Sequence, residues 1–111
     1  MKENLTQAQV EGEISASEGE LHEPDGRAFR LWERVRIPPC LWTQSQYPIA
    51  SSFWVIGILG RRCLYFNHVE GGWGWGRFTK WGTISECHWQ QDEIHHVVFK
   101  TLFAIDEGGS A

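Results

Sequence analysis

Three features of the sequence predict an α+β fold, an antiparallel sheet of four to five strands with a C-terminal helix packed on one face. Two apolar runs, Phe53–Leu59 and Arg62–Val69, flank the dipeptide Gly60-Arg61, the pattern of a two-residue hairpin. Residues 28–37 and 78–89 alternate with period two, as half-buried strands do. Ile94, Val97, Val98, Thr101, Leu102 and Ile105 recur at i, i+3, i+4, i+7, i+8 and i+11, the stripe of an amphipathic helix.

The first 26 residues stand apart by composition. They carry seven carboxylates (Glu3, Glu11, Glu13, Glu18, Glu20, Glu23, Asp25) against Lys2 alone, and none of the fifteen Phe, Trp and Tyr residues. Leu5, Ala8, Val10 and Ile14 have weak helical spacing, and Gly12 and Gly19 count against a stable helix. Glu-Pro-Asp-Gly at 23–26 is a turn signal and marks the expected boundary. The division is an acidic polar arm over 1–26, a tail or a docked helix, and a single α+β domain over 27–111.

In the first strand, Phe29, Leu31, Val35 and Ile37 alternate with Arg30, Trp32, Arg34 and Arg36, and Pro38-Pro39 is expected to end it. Residues 40–52 read as a connection. The hairpin turn would pair Leu59 with Arg62, Ile58 with Cys63, Gly57 with Leu64, Ile56 with Tyr65 and Val55 with Phe66. Phe53, Val55, Leu64 and Phe66 then share one face, and Trp54, Ile56, Ile58, Cys63 and Tyr65 the other. Both faces are apolar, so the second calls for cover from a helix, the arm or another copy of the chain in a homodimer. Gly71-Gly72-Trp73-Gly74-Trp75-Gly76 is an irregular strand or loop that either bends the chain or presents two indoles on one side. Asp92 is the expected N-cap of the last helix and Gly108-Gly109 its stop.

Several function classes find no support. The longest apolar run has seven residues, against about 20 for a membrane-spanning helix, and the first residues lack a signal-peptide pattern. No membrane partner is expected. Cys40, Cys63 and Cys87 are odd in number and widely spaced, which suits free thiols in a reducing cytoplasm. Cys87-His88 and His95-His96 are adjacent pairs, poorly spaced for zinc, and no metal or other cofactor is expected. No Gly-Lys-Ser/Thr follows the Gly-rich segment, so it is not a phosphate loop. Cys87 beside His88 is the best candidate nucleophile, with nothing to orient the base, and no catalytic residue is assigned.

Two groups of residues remain as candidate binding sites. Trp73 and Trp75 with Arg77 would form an aromatic contact platform if exposed, or lid the core if buried. Arg30, Trp32, Arg34 and Arg36 would share one strand face, cations beside an aromatic on which a base could stack. The net charge of −4 weighs against nucleic acid. The expected function is a non-catalytic protein-binding domain of immunity, inhibitor, adaptor or complex-subunit type. A nucleic-acid or nucleotide-binding module is the alternative, and a small cysteine-dependent enzyme the third reading.

Overall fold

A computed structural model of the chain describes residues 3–48, 50–87 and 91–106. Their order is α1 (Gln7–Leu21), α2 (Arg27–Val35), β1 (Arg36–Gln44), β2 (Ser52–Leu59), β3 (Arg62–Asn67), β4 (Gly72–Arg77), β5 (Thr83–Ile84) and α3 (Ile94–Asp106). The fold is α+β. The strands form one sheet in the order β4-β3-β2-β1-β5, antiparallel except for the short β1–β5 pair. Among the described residues no helix is long and apolar enough to cross a membrane.

The acidic arm is largely α1. Thr6 and Gln9 form a reciprocal cap: the Gln9 N–H donates to Thr6 Oγ1, and the Thr6 N–H to Gln9 Oε1. Val10, Ile14, Ser17 and Leu21 then fall at i, i+4, i+7 and i+11 and are buried together. Packing of that stripe outweighs the low intrinsic propensity of Gly12 and Gly19.

Residues 27–35 correct the first expected strand, for they are helix α2. Gly26 adopts φ +80 before it, and Asp25 Oδ1 accepts the Arg27 N–H. That hydrogen bond is the main cause holding the Asp25 carboxyl below its ordinary range. Ala28, Trp32 and Val35 are the buried positions. A short mixed run satisfies both periods, and burial of Ala28, Trp32 and Val35 on one side, at i, i+4 and i+7, favours the helix. Pro38-Pro39 does not end a strand either; both prolines lie within β1, where its register against β2 breaks between Arg36 and Cys40. Strand proline is tolerated at such irregularities. The expected connection at 40–52 is therefore strand as far as Gln44. The buried Gln44 side chain pins the following loop, donating to the Tyr47 and Ala50 carbonyls and accepting the Tyr47 N–H.

The β2–β3 hairpin turns at Gly60 with φ +61, a value that suits glycine at the first position of the turn. Leu59, Ile58 and Gly57 pair with Arg62, Cys63 and Leu64 as expected. The register then slips by one residue, so that Val55 pairs with Tyr65 and Trp54 with Phe66. A bulge moves every side chain beyond it to the opposite face. The two faces are thus Trp54, Ile56, Leu64 and Phe66 under the three helices, and Phe53, Val55, Ile58, Cys63 and Tyr65 on the other side.

That second face is covered by the sheet itself. The sheet curls until the chain after β5 reaches β4. The Arg77 N–H donates to Glu86 O at 2.9 Å, and the Ser85 N–H to Arg77 O at 2.8 Å. Glycine at 76 is a steric requirement of this closure, since a Cβ there would lie 2.8 Å from Glu86 O. Of residues 78–89 only Thr83–Ile84 is strand, while His88 and Trp89 lie outside the described residues. Helix α3 packs on the other face through Ile94, Val97 and Val98. It begins after Glu93, whose carbonyl accepts the Val97 N–H; Asp92, the expected cap, instead bonds Lys100 Nζ. The expected stop at Gly108-Gly109 lies outside the described residues.

Candidate interaction surface

Three of the seven candidate binding residues are interior. Trp32 is 0% exposed, Trp73 1% and Trp75 9%, so the two indoles of the Gly-rich strand face the core and form no platform. The alternation of β4 places them on the helical face, and their N–H groups need buried acceptors. Trp73 Nε1 donates to Glu13 Oε1 at 2.9 Å, Trp32 Nε1 to Glu18 Oε2 at 2.8 Å and Trp75 Nε1 to Thr101 Oγ1 at 2.9 Å. Trp54 Nε1 finds Leu5 O at 2.8 Å. The acid-rich arm thus supplies three of these four acceptors.

The four residues expected on one strand face are distributed around α2 and its end. Trp32 is buried and leaves no base-stacking surface there. Arg36 lies over the Trp32 ring at 5.8 Å and bonds Glu18 Oε2 at 2.6 Å. Arg30 and Arg34 are exposed, and beside the Arg27 N–H bond the charge of Arg30 helps to hold the Asp25 carboxyl low. Arg77 is also exposed, 3.9 Å from Glu86 Oε2.

Among the described residues the tryptophan that reaches solvent is Trp81, 61% exposed, in the turn between β4 and β5; Phe103 on α3 is the other large exposed ring, at 56%. Trp81 rests on Trp42, with ring centroids 5.0 Å apart, and on the edge of Phe78 at 6.1 Å. Trp42 is itself buried and meets Phe78 edge-on at 5.0 Å, so the exposed ring stands on a packed aromatic base. The Phe78 N–H donates to Arg61 O and ties this turn to the β2–β3 hairpin. The tie and the β3–β4 register set Arg61, Arg62 and Arg77 at the hairpin end of those strands, while Lys80 bridges to Thr83 in the turn; all four are exposed. Arg62 and Arg77 are direct cross-strand partners, and Arg62 also lies over the Trp75 ring at 5.8 Å. The sequence holds one signal for Trp81: Gly82 follows it directly, a turn residue inside the expected strand.

The chemistry elsewhere is quieter. Burial pushes the Cys63 thiol up to about 12 and raises that of Cys87, which keeps both protonated and unreactive at neutral pH. His88, the expected neighbour of Cys87, lies outside the described residues. A cleft of about 380 Å³ between α1 and the start of α3 is lined by Glu13, Ser17, Phe66, Trp73, Asp92 and Glu93. Two of its carboxylates are already engaged, Glu13 by Trp73 and Asp92 by Lys100. Comparison with protein-family models, curated proteins and solved structures finds no match.

Proposed function

We propose that the chain is a non-catalytic protein-binding domain whose contact is centred on Trp81. The observation that carries this reading is a large, exposed indole on a rigid base of Trp42 and Phe78. An immobilised tryptophan loses little conformational freedom on binding, and such residues dominate interface energies. Lys80, the exposed neighbour of Trp81 in the turn, and Arg61, whose carbonyl accepts the Phe78 N–H, supply polar groups of the kind that rim such anchors. The reading retains Arg77 from the expected site and puts Trp81 in place of Trp73 and Trp75. The three free thiols suit a domain working in a reducing cytoplasm.

Trp81→Ala tests it. The variant should melt within a few degrees of the wild type, because most of the removed ring is in solvent, and should lose a partner that the wild type captures. Undiminished capture of that partner by a folded Trp81→Ala protein overturns the reading.

A further inference from the structure

We infer that the cleft between α1 and the start of α3 is a binding site for a small organic polycation, an aliphatic polyamine whose ammonium groups bond the carboxylates of its lining. At about 380 Å³ the cleft falls within the range of small-ligand sites.

The charged side chains of the lining are all carboxylates, Glu13 from α1, and Asp92 and Glu93 from the chain entering α3. Glu13 and Asp92 are tied to Trp73 at different points. Glu13 Oε1 accepts the indole N–H at 2.9 Å, and the Asp92 carbonyl accepts the main-chain N–H of the same residue at 2.9 Å. Among the described residues no three Asp, Glu, His or Cys side chains converge as ligands for one metal ion. Carboxylates carried apart on different elements answer a ligand with separate positive centres.

The chain already holds one contact of the kind such a ligand would make. Lys100 Nζ, a primary alkylammonium, donates to Asp92 Oδ2 at 2.9 Å. The Lys100 side chain is largely exposed, and an ion pair of that kind is weak enough to exchange. Each existing bond uses one oxygen of a carboxylate that accepts through two, so Glu13 and Asp92 keep acceptor capacity. Glu93 is exposed and adds a third carboxylate. Phe66 and Trp73, with ring centroids 5.0 Å apart, supply apolar lining for the methylenes of the ligand. The net charge of −4 favours the approach of a cation and, with the three carboxylates, disfavours an anion.

The test is an NMR titration of the ¹⁵N-labelled full chain with spermidine, with magnesium chloride and the neutral chain butanediol as separate arms. Spermidine should shift the Trp73 indole N–H and the amides of Ser17, Gly72 and Glu93, and butanediol should leave them in place. Glu93→Gln removes one ionic contact and should weaken spermidine binding about fivefold. Lys100→Gln removes the resident ammonium and should tighten binding by a similar factor. Opposite changes from two exposed positions, in variants that melt with the wild type, cannot come from loss of fold. No shift at these residues with spermidine, or unchanged affinity in Glu93→Gln, overturns the inference. Shifts as large with magnesium, or as large at Glu33 and Glu86, exposed carboxylates outside the lining, overturn it too, because the polyamine is then only a diffuse counterion.

Discussion

The indole N–H of Trp73, in the middle of the Gly-rich strand, donates to the carboxylate of Glu13, sixty residues earlier on α1. The bond joins the two segments that look least structured in the sequence. A buried indole donor needs an acceptor, and an ionised carboxylate makes the stronger kind of hydrogen bond. Glu13→Ala leaves the donor unpaired and should cost about 1–3 kcal/mol. Glu13→Gln retains an acceptor oxygen and should lose less. Urea unfolding of the two variants checks the order; equal stability of Glu13→Ala and wild type would remove this bond from the account of how α1 docks.

The same docking predicts that the arm is not dispensable. Val10 and Leu21 are fully buried, and Trp32, Trp54 and Trp73 all bond to residues of the first 18. A chain lacking residues 1–21 should expose these rings and aggregate. In the intact chain, amide exchange at Val10 and Ile14 should be about as slow as in β2 and β3. Fast exchange there with slow exchange in the hairpin would show α1 to be loosely held.

The bulge in β2 makes Ile56 a sensitive position. Its side chain is fully buried in the cluster beneath the helices, beside Leu64 and Trp54. Ile56→Ala should cost about 2–5 kcal/mol, the range for deleting a large buried aliphatic group. A loss below about 0.5 kcal/mol, as for a surface change, would contradict the register described for this hairpin.

His68 gives the fold a pH dependence. Its ring meets the edge of Phe53 at 5.3 Å, its Nδ1 is buried without a hydrogen-bond partner, and burial lowers its pKa. With the folded pKa below the unfolded value near 6.5, the unfolded chain takes up the proton first as pH falls. The His68 contribution therefore lowers stability as pH drops through about 6.5, and levels off below the folded pKa. Denaturant midpoints measured from neutral to mildly acidic pH should fall more steeply in the wild type than in His68→Gln. Parallel profiles would assign the dependence to other groups.

Much of the architecture was legible without coordinates because it rests on local rules. The Gly60-Arg61 turn, the first three hairpin pairs and the apolar stripe of α3 each follow from contacts between near neighbours in the chain. The capping box at Thr6 and Gln9 was equally local, and was there to be read. Other features depended on residues far apart. Arg27–Val35 carries a pattern that fits two periods, and packing of Trp32 among α1, β2 and α3 selects the helix. The β2 bulge moves Trp54 and Ile56 to the face of Leu64 and Phe66, which no single strand encodes. The indoles of β4 are interior because Glu13 and Thr101 reach them from two helices, and Trp81 is exterior because Trp42 and Phe78 already fill the space beneath it. Composition shows how many aromatic rings there are to bury. Which tryptophans of the sheet and its turns are interior is decided by how the curled sheet closes, a property of its long-range pairing.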